Sequence, residues 1–260
     1  MRILGTRLQD LYVKFNELLK LNTFPVAVKL FKDEAKLDEI AKARPTTKHT
    51  ICQLLAQARY MGKVLGAHIE DADACAFGAR NMGFVELPED VLAGKRTLNI
   101  YHASEEIAKK AIDSIPKLDL GNKGVLVAPM NQCPIDDPDV VVFYGNSAQM
   151  LRLINSYVWK TGERLTFGTV GQCTCADAVV TAIKTGKPAL TLPCMGARLL
   201  SIVQEWEMMM GVPGHLLEAL VEGLENTHKG GVKYPIAYQM IYLTPQPPVS
   251  RLIGREVVVK

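Results

Sequence analysis

The sequence predicts an α/β protein, a mixed sheet flanked by helices, on three observations. Two short runs, "GVLVAPM" (124–130) and "DVVVFYG" (139–145), are apolar without a break, as strands buried on both faces must be. Amphipathic stretches such as "SEEIAKKAIDSI" (104–115) carry apolar residues at helical spacing. The two periods alternate along the chain, which is the pattern of layered α/β architectures.

Taken in order, Leu8, Leu11, Phe15, Leu18 and Leu19 line one face of a helix within 6–21, with Thr6 placed to cap it. "PVAVKLF" (25–31) reads as a strand headed by a proline, where no ladder donor is lost. "ICQLLAQARYMG" (51–62) is a helix stopped by Gly62, and "KVLGAHI" a strand after it. A helix follows the 139–145 strand over 147–162, and "KPALTLPC" (187–194) is a further buried strand. "ARLLSIVQEWEMMMG" (197–211) and "PGHLLEALVEGLE" (213–225) read as helices, the methionines and Trp206 as helix packing. The proline-rich passage 243–260 ends in an extended piece. No interdomain linker interrupts residues 1–260, so a single domain is expected. A sparse echo at a shift of 100 residues sets Gly62, Leu65 and Cys75 on Gly162, Leu165 and Cys175. It implies two similar αβ halves about a pseudo-twofold axis, with the boundary near 120–138.

The 260 residues are 48% hydrophobic, ample for a sizeable core. Thirty basic against 27 acidic residues, with no dense Lys/Arg run, argue against a nucleic-acid or anionic-membrane partner. The start lacks the apolar run of a secretory signal, and no segment approaches the ~18 apolar residues of a membrane span. A cytoplasmic protein is expected, and in that compartment six cysteines are ligands or reactive groups before they are disulfides.

Cys133 reads as a loop or filler residue. The other five are Cys52, Cys75, Cys173, Cys175 and Cys194, none in a Cys-x-x-Cys pair. "CAFGAR" (75–80) and "LPCMGAR" (192–198) both lead from a cysteine into Gly-Ala-Arg, and a glycine turn lets backbone N–H groups face sulfur. Cys52 and Cys175 open helices, where the positive end of the dipole favours thiolate. In "QCTC" both sulfurs face one side if the chain is extended and diverge if it is helical. Arg59, Arg80 and Arg198 are candidates to balance thiolate charge or to bind a small-molecule anion.

The set "PVAVKLF", "CQLLAQARYMG", "DACAFGA", "PDVVVFYGNSAQMLRLI" and "LPCMGAR" resembles the family catalogued as domain of unknown function 169, over nearly the whole chain. The resemblance implies cysteines kept at Cys52, Cys75, Cys175 and Cys194, in a family frequent in anaerobes, a setting suited to iron–sulfur chemistry. This chain departs from the family pattern by lacking a proline after Cys75 and by adding Cys173, which leaves Cys173 as a substitute for Cys175.

His68, Glu70, Asp71 and Asp73 offer imidazole and carboxylates, but a solvated loop with helix caps explains them more cheaply. His49 falls three residues before Cys52, while His102, His215 and His228 have no visible partner. "FGTVGQC" (167–173) lacks the endings of a nucleotide loop, and no Ser/His/Asp set stands out.

The leading expectation is therefore a protein holding an iron–sulfur cluster, 4Fe–4S, for electron transfer with a redox partner or for reductive or Lewis-acid chemistry on a small molecule. Two alternatives stay open: a small-anion-binding protein with structural zinc or no metal, and an enzyme with Cys173 or Cys175 as nucleophile. Reaction, substrate and any homo-oligomer are not fixed by the sequence.

Overall fold

A computed structural model describes residues 7–236; the extended piece expected at the end of the chain lies outside them. Six strands form one sheet: β1 (Val26–Phe31), β2 (Leu65–His68), β3 (Gly124–Pro129), β4 (Val140–Gly145), β5 (Ala189–Thr191) and β6 (Met208–Pro213). Their spatial order is β2-β3-β1-β4-β6-β5. All the pairings are antiparallel, where a mixed sheet was expected. The α/β class itself stands.

The helices are α1 (Arg7–Leu19), α2 (Glu34–Ile40), α3 (Ile51–Met61), α4 (Ile69–Ala72), α5 (Ala76–Asn81), α6 (Glu89–Leu92), α7 (Glu105–Ser114), α8 (Ser147–Thr161), α9 (Thr181–Thr185), α10 (Met195–Leu200) and α11 (Leu217–Lys229). A π-helical turn, Ala176–Val180, leads directly into α9. Strand residues alternate between two cores. Val26, Val28, Val125, Val127, Val140 and Val142 pack with α3 and the π turn. Ala27, Leu126, Ala128, Val141, Phe143 and Met210 pack with α1, α8 and α11 on the other face. Among the described residues no helix is long and apolar enough to cross a membrane.

The segment 197–211 is not one helix. Helix α10 ends at Leu200 with Ser201 as its C-cap, Ile202 takes a positive φ of 56°, and the three methionines open β6. Alternation explains this. Met209 faces one core while Met208 and Met210 face the other, a period a helix would scramble.

The sheet is two halves related by a pseudo-twofold axis along its normal. Exchanging β1 with β4, β2 with β5 and β3 with β6 returns the same strand order. Registers follow: Val26↔Pro129 and Phe31↔Gly124 become Val140↔Pro213 and Gly145↔Met208. Likewise Leu65↔Val127 becomes Ala189↔Gly211. The Ala27↔Val141 pair of β1 and β4 maps onto itself, which puts the axis there. A 3₁₀ turn leaves β3 at Met130–Gln132 and β6 at Gly214–Leu216, each after a proline. The second half begins at β4 (Val140).

The residue correspondence differs from the echo at 100 residues. Gly62, which caps α3 in the left-handed region, matches Gly186 after α9 (φ 69° and 64°), not Gly162. Each stands three residues before its edge strand. Residues 82–123, between α5 and β3, have only the short 201–207 connection as their counterpart and form an insertion peculiar to the first half.

Candidate metal centre

Helix α3 starts at a capping box: Gln53 N–H donates to Thr50 Oγ1 (3.1 Å), and Thr50 N–H donates to Gln53 Oε1 (2.9 Å). Cys52 is the second residue of that helix. On the other side of the axis Cys173 stands in the capping place, its carbonyl accepting from Ala176 N (2.8 Å) and Asp177 N (3.2 Å). The helical turn begins at Thr174, so Cys175 is again second. From cysteine to capping glycine the second helix is one residue longer than the first. The π turn absorbs that residue, as an insertion into a helix does.

Cys75 and Cys194 are also equivalent. Each follows an edge strand and caps a six-residue helix containing Gly-Ala-Arg, with Ala79 and Ala197 buried in the same core. Gly78 N–H donates to Cys75 Sγ at 3.4 Å, the contact expected of a glycine turn facing sulfur. Cys194 N–H donates to Thr174 Oγ1 at 2.5 Å, which ties the Cys194 loop to the start of the Cys175 helix. The pseudo-twofold arrangement thus brings two equivalent pairs, Cys52 with Cys175 and Cys75 with Cys194, to one cavity.

All five cysteines line a single cavity of about 200 Å³. Thr97, Tyr101 and Gln172 complete one wall, the first two from the first-half insertion. His102, expected to stand alone, lies behind that wall between Thr97 Oγ1 (3.2 Å) and Gln172 Nε2 (3.4 Å). Tyr101 and Leu200, both exposed, line the cavity, and exposed Met195 follows Cys194 in the chain. Cys133 is buried elsewhere, in the opposite core, a filler residue as its loop context suggested. All six thiols are free.

The thiols feel one another. The Cys175 thiol is pushed well up, first by its hydrogen bond with Cys52 and then by burial. Burial raises Cys173 and Cys75, and charge on Cys175 adds to both. Asn81, fully buried with no hydrogen-bond partner for its Nδ2, stands near Cys173 and opposes the shift there. At Cys194 burial is outweighed by the Thr174 hydroxyl and by backbone N–H groups of Thr174, Ala197 and Gly196, so its pKa is lowered. Among the described residues no three His, Cys, Asp or Glu side chains stand close enough to hold one metal ion.

The three arginines are not brought to the cavity wall. Arg59 is buried and paired with Glu207, and its Nε donates to Thr23 Oγ1 (3.2 Å). Its guanidinium carbon is 3.7 Å from the Tyr144 ring centre and 4.4 Å from that of Tyr60. Tyr144, its hydroxyl raised by burial, also feels the charges of Arg59, Cys52 and Cys175. Arg80 donates to Asn81 Oδ1, and Arg198 donates to the carbonyls of Pro193 and Gln204. The His68 group is structural: His68 Nε2 meets Asp38 at 2.8 Å, while Glu70 and Asp71 bind Arg44. His49 bonds the Thr47 carbonyl.

Thr174, Asn81 and Tyr144 were not anticipated. Thr174 was visible only as the middle of Cys-Thr-Cys, and Asn81 only as the residue after the first Gly-Ala-Arg. Nothing in the apolar run 139–145 marks Tyr144 for a site.

Residues 14–223 match the model of a family described as uncharacterised ArCR, domain of unknown function 169. An uncharacterised protein of Methanocaldococcus jannaschii is 32% identical over 216 residues, 82% of this chain and 91% of that protein. No solved structure matches the chain.

Proposed function

This chain belongs to the ArCR family, domain of unknown function 169, and from its own geometry we propose that it holds an iron–sulfur cluster for electron transfer or reductive chemistry. The observation that carries this reading is the gathering of five thiols from distant segments at one cavity. Packing alone gives no reason to stack thiols whose charges raise one another's pKa. A cationic inorganic group removes that conflict by binding them as thiolates.

Size favours a cluster over zinc. An apolar cavity of about 150 Å³ admits benzene, and this one is about 200 Å³, far more than one ion fills. Four irons and their sulfides separate the ligand sulfurs, so the spacing need not suit a single ion. Cys52, Cys75 and Cys194 are ligands, with Cys175 or Cys173 completing the set. Bound there, a cluster supplies reversible one-electron transfer. The exposed apolar side chains of Tyr101, Met195 and Leu200 suit contact with a redox partner, and free thiols suit a reducing cytoplasm. Arg59, Arg80 and Arg198 lie outside the cavity lining, so anion capture by them is not part of the reading.

A thiol enzyme is the second reading, favoured by one observation: the lowered pKa of Cys194. The nucleophile would then be Cys194, because Cys173 and Cys175 are held as thiols. Protein purified without air should be brown, bleach on reduction and give a cluster spectrum by electron paramagnetic resonance. Colourless protein with zinc supports a structural metal. Metal-free protein modified once, at Cys194, supports the enzyme.

A further inference from the structure

Five thiols are one more than a cubane cluster needs, and the pseudo-twofold axis tells them apart. Resting on the cluster reading, we infer that the ligands are the two symmetry-related pairs, Cys52/Cys175 and Cys75/Cys194, and that Cys173 stays a free thiol beside a coordinatively closed cluster. Cys52 and Cys175 occupy the same helical position on opposite sides of the axis and line the same cavity. Cys75 and Cys194 cap equivalent helices. A twofold operation that exchanges the halves therefore returns this foursome to itself.

Cys173 breaks the pattern. Its counterpart is Thr50, whose side chain caps α3 and has no sulfur to offer. It adopts φ 57°, in the left-handed region that a non-glycine residue rarely takes. Its carbonyl does the work of starting the helix. The groups around it are unpaired by symmetry as well. Asn81 corresponds to the exposed Leu199, and Thr97 and Tyr101 come from the insertion that the second half lacks. The cavity thus has a symmetric four-thiol core and one asymmetric polar wall, to which Cys173 belongs. A four-thiolate cluster leaves no open iron, so the chemistry is electron transfer and not Lewis-acid activation.

The test is differential alkylation of the anaerobically purified holoprotein, located by peptide mass spectrometry. With the cluster present, prolonged iodoacetamide treatment at alkaline pH should label Cys173, slowly because it is a half-buried thiol, and spare Cys52, Cys75, Cys175 and Cys194. Removing the cluster with a chelator should then expose all four. In parallel, Cys173→Ser should keep its iron and cluster spectrum, while Cys52→Ser, Cys75→Ser, Cys175→Ser and Cys194→Ser should each lower iron affinity about tenfold or more. Protection of Cys173 with labelling of one of the four, or iron loss from Cys173→Ser with full retention in Cys175→Ser, would overturn the assignment. Wild-type protein without iron and sulfide would instead sink the cluster reading on which it rests.

Discussion

Cys52 and Cys175 hold the same place in the two halves of the chain: each is second in a helix, and both line one cavity, close enough that Cys52 is the main cause raising the Cys175 pKa. The pseudo-twofold arrangement explains why thiols so far apart in sequence meet. A residue at the start of a helix that points toward a twofold axis meets its own equivalent there. The predictions below follow from this arrangement and from the contacts that hold it.

Alkaline conditions should weaken the metal-free protein. Cys75, Cys173 and Cys175 are raised by folding, and burial pushes Cys133 up to about 11. Below the unfolded pKa of about 8.5 both states are protonated, and the stability is whole. Above it the unfolded chain releases protons that the folded chain keeps, so stability falls as pH climbs toward the folded values. Cys194, which is lowered, acts in the opposite sense below that pH. The denaturation midpoint of metal-free protein should decline from about pH 8.5 upward, and the metal-loaded protein, its thiolates already formed, should decline less. Equal slopes would count against coordination by these thiols.

Glu207→Gln should be severe. It strands the buried guanidinium of Arg59 behind Tyr144, and breaking such a pair costs about 3–5 kcal/mol. Replacing both partners by apolar residues of similar size should recover much of that loss in urea denaturation. A mild single variant would show that Arg59 finds water or another partner.

Gly211→Ala should disturb the site from beneath. A Cβ on β6 at that point would lie 2.2 Å from the Ala178 carbonyl oxygen of the π turn, which is backbone and cannot swing aside. We expect about 1–3 kcal/mol of destabilisation together with reduced iron content. Gly168→Ala, with nothing within 4 Å of the new methyl, is the control and should be neutral.

Thr174→Val should move one thiol selectively. The Thr174 hydroxyl is the strongest of the groups that lower Cys194, so its loss raises the Cys194 pKa. In metal-free protein the pH profile for alkylation of Cys194 should shift upward, while that of Cys75 stays in place. An unchanged Cys194 profile would assign the lowering to the backbone N–H groups alone.

Much of this molecule is legible in its residues. The continuous valine runs mark β3 and β4, Gly62 marks the end of α3, and the repeated Cys…Gly-Ala-Arg marks two loops of one site. Strand direction is not legible, because a strand buried on both faces reads alike whether its neighbours are parallel or antiparallel. The methionines of β6 mislead because they are apolar on consecutive positions, which a helix tolerates equally well. The true repeat is hidden by the one-residue insertion in the π turn and by the insertion over 82–123. A fixed shift of 100 therefore matches Cys75 to Cys175 instead of Cys52 to Cys175. The Arg59–Glu207 pair joins α3 to the chain just before β6, a meeting that only the folded sheet reveals.

The most direct test of convergence on one inorganic centre is the iron and acid-labile sulfide content of protein purified without air. We expect about four of each per chain, both lost when the four paired cysteines are replaced by serine. Iron-free, sulfide-free protein after synthesis under iron-replete anaerobic conditions would contradict it.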